Sequence, residues 1–479
     1  MAIYLLHKLR KELSAPAPTG AIRLQPLADD EDDYDDTDIP LAPSPQPKKS
    51  RIAWSAKLSL SCGLVLCGLY MLGTVDHPDD SRHTDVLLRS SRKPKLEGYG
   101  NGEKVFIAAL FYNNADILPH WTRQMTRVIQ YMGVDNVFVS IMESWSTDST
   151  PTLLSDFDKA LGALGVERRI KLRDTTVSRP SPFLTNQARI NFLAASRNVA
   201  LEPLADGLHG AAFDRILFSN DVITTAESIV ELLNTRDGKY DMACGLDFAH
   251  WGIGDGWVLR DRLGQLVSSI WPYFVEDAGT NGVTKSEPFK VLSCWNGIAA
   301  LRAEPFLPPA KRTNGTLSAK PLRWPLAHSH PSYQPERTPP RDLPELRFRA
   351  SAAEECFSSE CLLLAYDLRV LYALEEIWIN PRVLSAYSWD NYYLWIRAMR
   401  HWLVQWWIRT VENGDGIERA KWIEGRYADV WMWEGGACQV VSACLPHGLG
   451  SYSSQFHNYT RPEAHWDRRR GLRKRAVEL

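Results

Sequence analysis

Asn220 and Asp221 close the apolar run Ile216-Leu217-Phe218 with an amide and a carboxylate. That order drives the chain into a buried strand and then sets polar groups at its mouth. A carboxylate there can ligate a hard divalent cation, and oxygen ligands suit magnesium or manganese. Such a cation grips a diphosphate and neutralises its charge as it leaves. The same Asn-Asp pair equally makes a turn, or the cap of a helix beginning near Thr224. Other polar clusters also follow apolar runs: Tyr112-Asn113-Asn114, Glu143-Ser144 and Asp174.

These groups need elements to hold them. KVFIAALFY, NVFVSIME, ERRIKLRD and DRILFSNDV read as strands. Between them, ILPHWTRQMTRVIQYMG carries Ile117, Trp121, Met125, Val128 and Met132 at helical spacing. TPTLLSDFDKALGALG has Thr150 as an N-cap and Pro151 at the first helical position. NQARINFLAASRNVALEPL is a third helix. The alternation predicts an α/β fold, a Rossmann-type and mostly parallel sheet flanked by helices. Ligands of such sheets sit outside the carboxyl ends of the strands, where the polar clusters fall. Further on, YDMACGLDF and PFKVLSCWNGIAAL read as strands, and FSSECLLLAYDLRVL as a helix. WIRAMRHWLVQWWIRTV is expected as one helix packing Trp395, Met399, Trp402 and Trp406 from one face. A membrane-surface role for it ranks below packing, although Arg397, Arg400 and Arg409 accompany it.

Composition bounds the class. The 479 residues are 44% hydrophobic and 23% charged with a net charge of −2, so nothing global points to nucleic acid. LSLSCGLVLCGLYMLGTV, Leu58 to Val75, is uncharged, with Lys48, Lys49, Arg51 and Lys57 before it and Asp76, Asp79 and Asp80 after. That asymmetry predicts a single N-terminal transmembrane helix with a cytosolic N-terminus. The domains follow: 1–50 a disordered cytosolic tail, 51–76 the anchor, 77–103 a polar stem, 104–440 the α/β body and 441–479 a basic tail. Cys244, Cys294, Cys356, Cys361, Cys438 and Cys444 lie outside the anchor at no metal-like spacing, and their pairing is open. Asn314-Gly315-Thr316 and Asn458-Tyr459-Thr460 are sequons usable only in a secretory lumen. His328-Ser329-His330 sits among prolines, and neither it nor His447 or His457 is selected as a metal ligand by its surroundings.

Glu143-Ser144-Trp145-Ser146-Thr147-Asp148-Ser149-Thr150 after the second strand, and Ala194-Ala195-Ser196-Arg197-Asn198 before ILFSNDV, resemble the nucleotide-sugar glycosyltransferases of the GT-A fold. In that group an Asp-x-Asp metal motif ends the strand; here it reads Ser219-Asn220-Asp221, without its first acid. RINFLAASRNVALEPL, FDRILFSNDV, VLSCWNGIAAL and FSSECLLLAYDL, in this order, resemble the fungal α-1,3-mannosyltransferase family of capsule polysaccharide synthesis. The resemblance implies a GT-A-like fold, a GDP-mannose donor, a mannose-containing glycan acceptor, Mn2+ or Mg2+, and a Golgi membrane location of type II.

It also implies roles. Asp221, with Asn220, would hold the metal. Glu143 and Asp148 would face the nucleoside; Asp148 could instead cap the next helix. Arg197, with Asn198, belongs to the donor-binding set, Arg197 pairing with phosphate or with an acidic strand-end residue. Trp295 and Asn296 would form a sugar platform, or Trp295 a piece of core. Asp247 could meet a sugar hydroxyl or sit in a plain turn. Glu360, then Glu355, is the candidate catalytic or acceptor-orienting carboxylate, although a Glu at a helix start also merely suits the dipole. Transfer from an α-linked donor to an α-linked product retains configuration. Two other readings stand beside this one: a lectin-like or scaffold protein without turnover, and a transferase of another nucleotide sugar.

Overall fold

The computed structural model describes residues 59–68, 70, 81–181, 187–206, 213–249, 252–262, 264, 267, 271–274, 276–312, 317, 343–352, 358–411 and, for the backbone alone, 427–434 and 437–444. The chain divides into two units, Met1–Val75 and Asp76–Leu479. In the first unit, 59–68 and 70 are helical, inside the span read as an anchor. Among the described residues no helix is long and apolar enough to cross a membrane. The acidic run, both sequons, His328, His330, His447, His457 and the basic tail lie outside the described residues.

The second unit begins with α1 (Thr84–Arg92), within the segment read as a stem without periodicity; only Leu87 and Ser90 of its nine residues are buried, too few to print a period. Then come β1 (Val105–Phe111), α2 (Leu118–Met132), β2 (Val137–Glu143), α3 (Thr150–Ala163), β3 (Glu167–Lys171), α4 (Gln187–Asp206) and β4 (Arg215–Ser219). These strands pair in parallel in the order β3-β2-β1-β4. Alternate side chains of β4 face opposite helix layers: Phe218 lies under the Arg197 guanidinium of α4, and Ser219 accepts the indole N–H of Trp121 in α2. Trp121, Met125, Val128 and Met132 are buried, as their spacing requires. α5 (Ala226–Leu233) is capped by Thr225, whose hydroxyl accepts the Ser228 N–H, so Asn220-Asp221 is not its cap.

The remaining elements are β5 (Met242–Ala249), β6 (Gly252–Ile253), α6 (Asp277–Lys285), β7 (Phe289–Lys290), β8 (Ile298–Arg302), α7 (Glu360–Tyr372) and β9 (Ile377–Ala386). The sheet order is β3-β2-β1-β4-β8-β5-β9-β7, with β6 on β5. The mostly parallel sheet expected from the sequence is therefore a mixed one. β8 runs antiparallel between β4 and β5, and β7 antiparallel to β9. Ile298 to Leu301 are wholly buried, and a strand enclosed on both faces reads as the same apolar run in either direction.

β9 escaped the sequence reading because Asn380-Pro381-Arg382 interrupts it. The structure accommodates the proline at a register shift: Cys244 pairs Ile379 and Leu246 pairs Leu384. A Cβ on Gly245 would stand 2.6 Å from the Val383 carbonyl oxygen, so glycine lets the bulge close. A disulfide joins Cys244 to Cys294, Cys361 is a buried free thiol, and Cys356 lies outside the described residues.

The single Trp-rich helix is also corrected. A π-helix over Tyr392–Ala398 leads to α8 (Trp402–Thr410), with a break that His401 caps by accepting the Leu403 N–H. The break rotates the two halves, so Trp395 is buried while Trp402 and Trp406 are 58% and 53% exposed. β10 (Tyr427–Glu434) and β11 (Ala437–Cys444) form an antiparallel hairpin.

Candidate active site

Strand direction brings the polar residues to one edge. β1, β2 and β4 end there at Phe111, Glu143 and Ser219. β8 runs the other way, so its start at Ile298 lies opposite Ser219, and the preceding Trp295-Asn296-Gly297 arrives at the same edge. β5 reverses again and delivers Asp247, which pairs Ser385 of β9 two residues before Tyr387.

Glu143 is fully buried. Its Oε1 accepts the Ser146 N–H at 3.0 Å and its Oε2 the Arg173 N–H at 2.6 Å. Each oxygen holds a backbone N–H, so Glu143 ties the loops after β2 and β3 together. Asp148 is exposed, accepting the Ala115 N–H at 3.0 Å and the Thr150 N–H at 3.0 Å. Its burial is slight, and the Thr150 and Ala115 hydrogen bonds outweigh that cost and lower its pKa. Beside it Trp145, 42% exposed, donates its indole N–H to the Val177 carbonyl, and Arg179 lies 3.6 Å over the Tyr112 ring. The exposed Trp145 face suits a planar base, while Arg179 covers one face of Tyr112.

Arg197 donates from Nε to Glu360 Oε1 at 3.1 Å and from Nη1 to Asn220 Oδ1 at 3.1 Å. Its guanidinium lies over Trp295, Phe218 and Phe348 at 4.5, 5.0 and 5.5 Å. Glu360 is 2% exposed and opens α7 behind the Ser359 cap. Asn220 Oδ1 also accepts the Trp295 indole N–H at 3.3 Å, which removes it as a metal ligand. Trp295, 1% exposed, is a core side chain and offers no platform. Asn198 is likewise committed: its amide donates to the Phe348 carbonyl at 2.8 Å and accepts the Phe348 N–H at 2.9 Å, pinning α4 to the 343–352 segment.

Asp221 accepts the Asn114 amide at 2.8 Å, and among the described residues no other side chain hydrogen-bonds to its carboxylate. Burial raises its pKa against the pull of Asn114 and Arg197. Ser219, at the place of the missing acid, is 0% exposed and turned into the core on Trp121.

Asp247 is fully buried. Its Oδ1 accepts the Asn296 amide at 2.9 Å and the Asp255 N–H at 3.3 Å. Asp255 Oδ2 accepts the Asn296 N–H at 3.3 Å. Asn296 thus joins the two acids instead of presenting itself to a sugar. Burial pushes Asp247 up to about 6; burial and the Asp247 charge push Asp255 up to about 8. Asp255 and Tyr387 had no place in the sequence reading, and Asn114 appeared there only within a strand-end polar cluster. The available signals were a carboxylate between two glycines, Gly254-Asp255-Gly256, and the end of a strand hidden by its proline. Glu355 lies outside the described residues.

Residues 104–367, more than half of the chain, match the family described as Cryptococcal mannosyltransferase 1. The chain belongs to that family. It is similar to alpha-1,3-mannosyltransferase CMT1 of Cryptococcus neoformans var. neoformans serotype D, with 27% identity over 297 residues, 57% of this chain and 55% of the relative. The chain thus spans about half the length of that curated relative. Among solved structures, mannosyltransferase PcManGT from Pyrobaculum calidifontis, in complex with GDP-Man and Mn2+, overlaps with 13% identity over 74% of this chain and 76% of its own, at a TM-score of 0.32. Glucosyl-3-phosphoglycerate synthase from Mycobacterium tuberculosis, in complex with phosphoglyceric acid, overlaps with 14% identity over 61% and 75%, at 0.31.

For this member of the cryptococcal mannosyltransferase 1 family, the described residues include no group of three His, Cys, Asp or Glu side chains arranged to hold a metal ion. The Asp221 carboxylate is the strand-end group that would hold a divalent cation, since magnesium sites often use a single carboxylate together with phosphate oxygens and water.

Proposed function

We propose that this chain transfers mannose from GDP-mannose to a mannose-containing glycan acceptor, forming an α-1,3 linkage with retention on a GT-A-like body. The carrying observation is the meeting of Asp221, Asn220, Arg197 and Glu360 at one strand edge in a chain of this family. The named activity of the curated relative supports the mannose donor.

In this reading Glu360 holds Arg197, Arg197 holds Asn220, and Asn114 orients Asp221 at the strand end. When bound, a Mn2+ or Mg2+ ion on Asp221 supplies positive charge to the leaving diphosphate. The Arg197 guanidinium adds a preorganised positive charge behind it, where little water screens it. Asp148, Trp145 and Tyr112 form the ledge for the nucleoside. The Cys244–Cys294 disulfide supports an oxidising compartment, with which a Golgi enzyme carried by an N-terminal anchor is in keeping.

Titration calorimetry of the full chain with GDP, with and without Mn2+, tests the reading. Binding strengthened by Mn2+, with Asp221→Asn abolishing the strengthening, is the expected result. No GDP binding under either condition favours the lectin-like or scaffold reading. The inward-facing Ser219 weakens the main argument for that alternative, because an acid at 219 would not reach the cleft in any case. Turnover of a nucleotide sugar other than GDP-mannose would redirect the donor.

A further inference from the structure

The acids beyond Asp221 are used by nothing so far, yet they are built with care. Gly254-Asp255-Gly256 lies against Asp247 and Tyr387, and the Gly254 N–H donates to the Asp247 carbonyl at 3.0 Å. A Cβ on Gly254 would stand 2.8 Å from Asp247 Oδ2 and 3.1 Å from Tyr387 Cε2, so only glycine lets the turn approach this closely. Asp247 is 0% exposed, and its carboxylate is shared between the Asn296 amide, the Asp255 N–H and the Tyr387 phenol. In front of it Asp255 and Tyr387 both keep part of their surface open. Burial, then the charges of Asp247, Asp255 and Asp221, push the Tyr387 phenol well above its usual pKa, and its oxygen sits between Asp247 and the Asn220 side chain. Asn296 donates to Asp247, and the adjoining Trp295 donates its indole N–H to Asn220, which Arg197 also reaches, so this group adjoins the proposed diphosphate site.

We propose that Asp255 and Tyr387 grip the hydroxyls of the transferred hexose, with Asp247 the buried acid that positions both. The proposal rests on the transferase reading and names the part of the donor that this side of the cleft takes. A sugar hydroxyl donates one hydrogen bond and accepts others. A carboxyl group and a phenol O–H at one cleft can satisfy both senses, and a site built this way rejects an analogue lacking the hydroxyl.

The test uses the full chain in detergent, GDP-mannose and its monodeoxy-mannose analogues, with GDP affinity measured alongside. Asp255→Asn and Tyr387→Phe are each expected to lower kcat/KM for GDP-mannose about tenfold or more, with GDP affinity held within about twofold. The analogue that wild type rejects should lose no further rate in Tyr387→Phe. Gly254→Ala, which keeps every polar group and lifts the turn, should lower kcat/KM in the same way. Unchanged discrimination among the analogues in all three variants overturns the proposal and leaves the transferase reading standing. Equal loss of GDP affinity overturns it too, since the residues would then serve the diphosphate. Failure of wild type to bind GDP or turn over GDP-mannose overturns the underlying reading, and the sugar grip with it.

Discussion

Arg197 and Glu360 lie 163 positions apart and meet as a buried ion pair, Nε to Oε1 at 3.1 Å. Arg197 also reaches Asn220, so one guanidinium links α4, the start of α7 and the end of β4. Arg197→Ala leaves Glu360 a buried, unpaired charge and is expected to cost about 3–5 kcal/mol. Arg197→Leu with Glu360→Leu removes both charges and should cost less than Arg197→Ala, while still abolishing activity. Urea unfolding of the single and double variants measures the order; equal losses would mean that the pair is not buried in solution.

Ser219→Asp recreates the acid that the metal motif lacks. Because Ser219 is 0% exposed and accepts from Trp121, the new carboxylate would be buried in the core. The expected outcome is a loss of about 3 kcal/mol or more in stability and no gain in Mn2+-dependent GDP binding. Tighter Mn2+-dependent binding in a folded Ser219→Asp protein would show that position 219 turns outward.

Asn198→Ala removes both hydrogen bonds to Phe348. Leaving the Phe348 N–H and carbonyl unsatisfied is expected to cost about 1–3 kcal/mol. GDP affinity should change little, because Asn198 makes no contact with Asp221 or Asn220 among the described hydrogen bonds. Calorimetry showing a large loss of GDP affinity with unchanged melting would return Asn198 to the donor site.

The Asp247–Asp255 pair predicts a pH dependence. Asp255 is pushed up to about 8 and Asp247 up to about 6, each from an ordinary 3.8. A carboxyl with a raised folded pKa binds its proton more tightly in the native state, so its contribution to stability is full below the unfolded pKa and falls as pH rises through the folded one. For Asp255 that window runs from about pH 4 to about pH 8, set against the nearby Asp247, Glu360 and Arg197. Asp255→Asn should flatten the fall relative to wild type. Melting curves across this range read the difference; identical slopes would remove Asp255 from the pair.

Much of the first half of the fold was legible because its signals are local. Trp121, Met125, Val128 and Met132 repeat at the helical period and are buried on α2, and β1, β2 and β4 are unbroken apolar runs. The sequence by itself also marked candidates for chemistry: Asn220, Asp221 and Asp247 by residue type at the ends of predicted strands, and Arg197, inside a predicted helix, and Glu360, at a helix start, by the family resemblance. Only the tertiary structure decided what each does there. Whether β8 runs parallel or antiparallel depends on the path of the chain between strands, and that direction carries Asn296 to Asp247. Whether a polar group faces a cleft or spends itself on a neighbour depends on contacts between distant positions: Asn198 on Phe348, and Ser219 on Trp121. Periodicity records which side of its own element a residue occupies; the partner on that side is chosen by packing.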